Sequence, residues 1–189
     1  MIHHIAIFAS GAGSNTKKII EHFKHKQNIF VNLIVSNKPD APVLAMAREY
    51  GIPTLVLNRK EFYETEDILK IFNKFSIGFV VLAGFLWLLP TYLVRAFENR
   101  MVNIHPALLP KYGGKGMYGM RVHEAVKKAG DTETGITIHY VNEQYDDGDI
   151  VFQAKCPVSR EDSPEDIAQN IYRLEHRHFP EVIEKLLSQ

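Results

Sequence analysis

The chain has a single cysteine, Cys156, among 189 residues. A lone thiol forms no internal disulfide, which fits a reducing compartment, and its ordinary place is a small buried apolar position. An excess of one charge sign is missing too, since 22 basic side chains face 22 acidic ones. Nucleic-acid-binding surfaces carry a basic excess, so no nucleic-acid partner is expected, although the balance leaves room for one anionic pocket. Long apolar runs are absent. The longest, FVVLAGFLWLL at 79–89, falls short of the ~18 residues that read as a membrane span, and Pro90 stops it. The opening MIHHIAIFAS has too short an apolar part, and no basic start, for a secretion signal. The expectation is a cytoplasmic chain with no membrane contact.

What is present suits a globular protein. Hydrophobic residues make up 46% of the chain, enough for a full core, and the length fits one domain over 1–189. Strand-like and helix-like stretches alternate through the first two thirds. HIAIFAS, IFVNLIVSN, TLVL, GFVVLAG and MVNIHP read as strands. NTKKIIEHFK, DAPVLAMAREYG and RKEFYETEDILKIFNKF read as helices, the last as one amphipathic element. Strands apolar on both faces and alternating with helices imply a parallel sheet covered on both sides. The last third differs. ETGITIHYVNE and DIVFQAKCPV alternate in period two across QYDDGD, as an antiparallel pair does. A long helix closes the chain, with Ser163 as N-cap, Pro164 at the first helical position and Pro180 expected to kink it. The fold class is therefore α/β: a mostly parallel twisted sheet with helices on both faces, then a C-terminal antiparallel hairpin and a long helix.

Ligands bind such sheets beyond the carboxyl ends of the strands. Four unusual stretches sit at strand ends: SGAGSN, GFLWLLP, NIHP and DDGD. In SGAGSN the glycines allow a tight turn, and Gly13, Ser14 and Asn15 precede a helix start whose free N–H groups suit an anion. It lacks the third glycine of a dinucleotide fingerprint, Thr16 standing in its place, and it lacks the Gly-Lys-Ser/Thr of a nucleotide phosphate loop. It reads either as a monophosphate site or as an ordinary turn capped by Ser14 or Asn15. In NIHP, Asn103 and His105 leave the same face of their strand, and Pro106 turns the chain away. A histidine in an apolar strand is commonly structural. Beside an amide donor, it also matches the pairing that stabilises an oxyanion and moves a proton. DDGD reads either as a solvated turn or as the source of a carboxylate, Asp146, that would raise the pKa of His105. It is no EF-hand loop, because counting back from Gly148 puts ligand positions on Glu143 and Tyr145. No H-E-x-x-H or G-x-S-x-G occurs, so neither a zinc site nor a serine nucleophile is expected.

In order along nearly the whole chain, FASGAGSN, VVLAGFLWLLP, VNIHPALLPKYGG and YDDGD resemble the folate-dependent formyltransferases. The Gly-Ser-Asn turn narrows the resemblance to the phosphoribosylglycinamide formyltransferases. The resemblance implies the formyltransferase fold and transfer of a formyl group from 10-formyltetrahydrofolate to glycinamide ribonucleotide in purine synthesis. Both are small molecules, and no metal is implied. Asn103, His105 and Asp146 match the catalytic trio. Gly13, Ser14 and Asn15 match the substrate-phosphate turn, and Glu175 matches the carboxylate at the ribose. Leu86, Trp87, Leu88 and Leu89, with Asn103, match the folate side. Trp87 stands where relatives often carry a basic residue. Arg59 and Lys60 are the two candidates for the cation near the folate glutamate tail. The loop GGKGMYGM is longer than in many relatives. Methionyl-tRNA formyltransferase, expected to need a further tRNA-binding part, and formyltetrahydrofolate hydrolase, expected to carry an additional N-terminal domain, are the neighbouring alternatives. A non-catalytic nucleotide-binding module is the rival from another class.

Overall fold

The structure is a computed structural model that describes residues 1–188. One sheet of seven strands organises the chain. The first half contributes β1 (His3–Phe8), α1 (Ser14–Phe23), β2 (Ile29–Ser36), α2 (Pro42–Glu49), β3 (Thr54–Val56), α3 (Arg59–Glu64) and α4 (Asp67–Lys74). Then come β4 (Phe79–Leu82), α5 (Thr91–Ala96), β5 (Met101–His105), α6 (Met120–Ala129), β6 (Glu133–Tyr140), β7 (Ile150–Pro157) and α7 (Pro164–Leu187). The strand order is β3-β2-β1-β4-β5-β6-β7. The first five strands in chain order pair in parallel, and β6 and β7 pair antiparallel. Chain order reverses between β1 and β4, so a crevice opens beyond their carboxyl ends.

Period-two burial on both faces holds the layers together. Ile5 and Ile7 of β1 point into a core shared with α1, α2, α6 and α7, including Ile19, Leu44, Val126 and Phe179. Ala6 and Phe8 point the other way, onto Phe62, Phe72 and Leu93 of α3, α4 and α5. Every residue from Ile5 to Phe8 is fully buried. This is why the parallel strands read as unbroken apolar runs rather than as alternation. No helix of the described residues is long and apolar enough to cross a membrane.

Several local expectations change. RKEFYETEDILKIFNKF forms two helices, not one. Thr65 takes an extended conformation (φ −129°, ψ 167°) and its hydroxyl accepts from Asp67 N–H at 3.3 Å. Asn58 caps α3 by accepting from Lys60 and Glu61 N–H. The β-branched Thr65, able to satisfy a helix start itself, breaks the element there. The closing helix starts as read, with a capping box between Ser163 and Asp166 and Pro164 in the first turn. It runs unbroken through Pro180. The missing proline N–H removes one bond there, and Phe179, Val182 and Ile183 around it are buried on the core side. Two helices, α5 and α6, were not legible at all.

The last two strands approach closely. Gly135 of β6 lies opposite Lys155, and a Cβ there would collide with the Ala154 carbonyl and the Leu108 side chain. Gly135→Ala is expected to cost about 1–3 kcal/mol, the range for forcing extra volume into a packed site. Urea denaturation would show a lower midpoint at unchanged slope, and a wild-type midpoint would mean that β7 yields without strain.

Candidate active site

The turn after β1 sits at the crevice. Its shape rests on Gly13, whose φ of 76° is left-handed and whose missing Cβ leaves room for Val43 of α2. Gly13 is the N-cap of α1. No side chain caps the helix among the described residues, and the first intrahelical bond runs from Lys17 N–H to the Gly13 carbonyl at 2.8 Å. The Ser or Asn cap considered from sequence is therefore absent. The first amides of α1 are left for an anion, as the dipole of a ten-residue helix favours. Asn15 turns to α7 instead: its Nδ2 donates to Glu175 Oε2 at 2.8 Å, and its Oδ1, though buried, has no partner among the described residues. Ser10 fastens the turn to the neighbouring loop. It accepts from Leu86 N–H at 3.0 Å and donates to Asn37 Oδ1 at 2.6 Å.

The other end of the crevice belongs to β5 and the hairpin. Asn103 pairs across the ladder with His139, and His105 with Thr137. Asp146, at the hairpin tip with a left-handed φ of 53°, reaches back to both strands. Its Oδ1 accepts from Asn103 Nδ2 at 3.3 Å. Its Oδ2 accepts from Gly114 N–H at 2.9 Å and lies 3.4 Å from His105 Nδ1. Carbonyl partners fix the proton positions of both imidazoles. His105 Nε2 meets the Tyr112 carbonyl at 2.7 Å, and His139 Nδ1 meets the Tyr140 carbonyl at 2.8 Å. A carbonyl only accepts, so those nitrogens carry the hydrogens. The remaining nitrogens are then acceptors in the neutral rings: His139 Nε2 accepts from Asn103 Nδ2 at 3.1 Å, and His105 Nδ1 faces the carboxylate.

A third wall follows β4. Leu86 is exposed, Trp87 and Leu88 are half-buried, and Leu89 is packed into the core. Trp87 leans on Phe62, Tyr63 and Phe85 at ring distances near 6 Å, and Tyr63 Oη donates to the Leu88 carbonyl at 2.8 Å. Arg59 lies over the Trp87 ring at 5.1 Å, whereas Lys60 sits 3.9 Å from Glu64 in solvent. Of the two candidate cations, Arg59 is thus the one built into this wall. Gly13, Ser14, Asn15, Leu86 to Leu89, Asn103, His105, Asp146 and Glu175 line one cleft of about 630 Å³ together with the Gly-rich loop 114–119, whereas Arg59 and Lys60 lie outside its lining. That size suits a drug-sized ligand.

The formyl transferase family profile matches residues 3–183. The chain belongs to the formyl transferase family. A phosphoribosylglycinamide formyltransferase of Arabidopsis thaliana, named chloroplastic, is 42% identical over 95% of this chain and 63% of that protein. One from Vigna unguiculata is 40% identical over 98% of the chain and 61% of its own length, so the chain spans about three fifths of these plant relatives. The crystal structure of the phosphoribosylglycinamide formyltransferase from Bacillus halodurans superposes with a TM-score of 0.88 at 36% identity, covering 98% of this chain and 96% of that one. A formyltetrahydrofolate deformylase structure from Pseudomonas syringae, at 21% identity and TM-score 0.85, shares the fold.

Within this formyl transferase cleft, burial decides the charges. Burial pushes His105 below the ordinary histidine value, against the upward pull of Asp146 and the Tyr112 carbonyl, and His139 adds to the fall. The sequence expectation that Asp146 raises His105 above about 6.5 is therefore corrected, because a residue only 3% exposed loses more hydration than one carboxylate restores. Burial raises the Asp146 carboxyl, but His139, His105 and Gly114 N–H outweigh it and hold the group below the usual range. Burial lifts Glu175 to about 7 despite its bond from Asn15. His123, 1% exposed, is pushed down to about 4 by burial and by His105 beside it. His123 and His139 both line the cleft and were missed in the sequence. Their position one strand or one helix away from NIHP gave no motif, although a second histidine in the period-two stretch ITIHY was a usable signal.

Two titrations follow. NMR should place His105 below 6.5 in the free protein, and Asp146→Asn, which tolerates the same left-handed backbone, should lower it further. A rise would mean that Asp146 does not act on His105 through its charge. For Glu175 the folded value lies above the unfolded one, about 4.5, so its stabilising share fades as pH rises from there through about 7. Glu175→Gln should therefore be stabilised relative to wild type at pH 8 and much less so at pH 4. Thermal melts at both pH values provide the check, and a pH-independent difference would contradict the protonation of Glu175.

Proposed function

We propose that this chain transfers the formyl group of 10-formyltetrahydrofolate to the amine of glycinamide ribonucleotide, a step of purine biosynthesis, by direct acyl transfer. The observation that carries the reading is the convergence of Asn103, His105 and Asp146 in the cleft that also holds an uncapped helix start. The names of the plant and bacterial relatives support it. The substrate phosphate takes the free amides at Gly13, Ser14 and Asn15, and Glu175 accepts from the ribose hydroxyls. The folate ring lies along Leu86, Trp87, Leu88 and Leu89, beside Asn103. Arg59, stacked on Trp87, supplies a cation at the edge of that wall.

The amine lone pair attacks the formyl carbon, a C–N bond forms, and the carbonyl electrons move to oxygen. Asn103 donates to this oxyanion. In the free site both of its amide hydrogens are held, one by His139 and one by Asp146. The longer bond, to Asp146, is the one exchanged for the oxyanion, while His139 keeps the amide oriented. Neutral His105 takes the proton of the new ammonium at Nδ1. The imidazolium then stands against the Asp146 carboxylate, so the pair gains its charge only as the oxyanion gains its own. The proton passes to the folate nitrogen as its bond to the formyl carbon breaks and the carbonyl re-forms. A histidine held neutral in the free enzyme suits a base first and an acid second. Losing one oxyanion donor costs roughly 100- to 1000-fold in turnover.

The deciding experiment offers glycinamide ribonucleotide, methionyl-tRNA and water as acceptors with 10-formyltetrahydrofolate. Transfer to the first alone is expected. Transfer to tRNA or water would reassign the acceptor, and no transfer at all would leave a nucleotide-binding module. Gly13→Val tests the phosphate turn: a side chain there is strained at φ 76° and collides with Val43. Calorimetry should show nucleotide binding lost and folate binding kept. Equal loss of both would make the turn purely structural.

A further inference from the structure

Outside the trio, one chain of contacts ends on the catalytic imidazole. The loop after β5 is pinned at three points. Thr137, fully buried, donates to the Ala107 carbonyl at 2.7 Å and accepts from Leu109 N–H at 3.0 Å. Gln153 donates to the Leu109 carbonyl at 3.2 Å. Further along, Tyr112 adopts a left-handed backbone (φ 57°), rare for a bulky residue, and this aims its carbonyl at His105 Nε2. The phenol of the same residue donates to Asp131 Oδ2 at 2.9 Å, at the junction of α6 and β6, and Lys111 Nζ pairs with that carboxylate at 3.3 Å.

We propose that Tyr112 and Asp131 are positioning residues for His105: the phenol–carboxylate bond holds the strained Tyr112 backbone, whose carbonyl keeps the imidazole hydrogen on Nε2 and leaves Nδ1 as the acceptor facing Asp146. The proposal rests on the formyl-transfer reading for its consequence, but not for its geometry. Three features make the device necessary. The His105 ring faces Asp146, His139 and His123, and among the described residues the Tyr112 carbonyl is the one backbone group hydrogen-bonded to that ring. A hydrogen moved to Nδ1 would bond Asp146 and leave Nε2, buried, facing a carbonyl oxygen with no hydrogen between them. The Tyr112 carbonyl thus lies between two anchors, the phenol bond to Asp131 and the Gly114 N–H bond to Asp146, and the first is the one the tyrosine side chain supplies.

Two variants and their combination test the relay. Tyr112→Phe removes one oxygen and no volume that packs. Its kcat should fall about fivefold, the scale of one hydrogen bond's net contribution, with the nucleotide KM nearly unchanged. Asp131→Ala should fall by a similar factor, the double variant no further, and Asp131→Asn, which keeps an acceptor oxygen for the phenol, should recover most of the loss. Nitrogen-15 spectra of His105 give a readout independent of turnover: the Nε2–H tautomer should dominate in wild type, and the Nδ1–H form should grow in Tyr112→Phe and Asp131→Ala. Unchanged tautomer signals in both variants would overturn the proposal whatever the activity. If the chain transfers no formyl group, the same spectra still decide the relay. If Asp131→Ala does not fold, Tyr112→Phe alone decides it.

Discussion

The Asp146 carboxylate is the contact on which the cleft depends. It is a side chain of a hairpin tip, yet it receives an amide of β5 and an amide of the Gly-rich loop, and it faces two imidazoles. Three separate segments thus close on two oxygen atoms. A carboxylate in so dry a place would ordinarily take up a proton. The donors that it gathers keep it charged, and the charge in turn keeps those donors aimed. Its left-handed backbone is tolerable for aspartate and unfavourable for most other residues, so the position is restricted by conformation as well as by chemistry.

Architecture and charge divide the labour. The parallel half of the sheet, buried on both faces, supplies a rigid turn after β1 and an aromatic wall after β4, at the point where strand order reverses. The antiparallel end supplies the cleft with the amide of Asn103 and the ionisable groups of His105, His139 and Asp146. Pairing β5 with β6 places His139 directly beside Asn103, and the β6–β7 turn carries Asp146 back over both. A parallel neighbour with its crossover helix could not return an acidic turn to the same edge within so few residues.

Much of this was legible in the sequence because the signals were periodic or conformational. Unbroken apolar runs marked the parallel strands, alternation marked the hairpin, and Ser163 with Pro164 marked the last helix. Asn103 and His105 announced a shared face by spacing alone. What stayed hidden depends on depth or on partners far along the chain. TYLVRA is too short to show a helical period, and α6 follows a glycine-rich loop that masks its start. Thr65 breaks a helix pattern that looked continuous. The direction of the His105 shift was misjudged because a carboxylate in the sequence is visible, whereas the loss of water around the ring is not. The tether from Tyr112 to Asp131 joins residues that neither periodicity nor motif connects.

The hydrogen bond between Asn15 and Glu175 spans 160 positions of the chain. During synthesis the glycine turn is made before the opposing carboxylate, by roughly 10–30 s at ~5–20 residues per second. The crevice therefore has both groups in place only once α7 is made and packed on α1. Any ligand gripped by both groups would fasten α1 to α7 and stabilise the folded state by mass action.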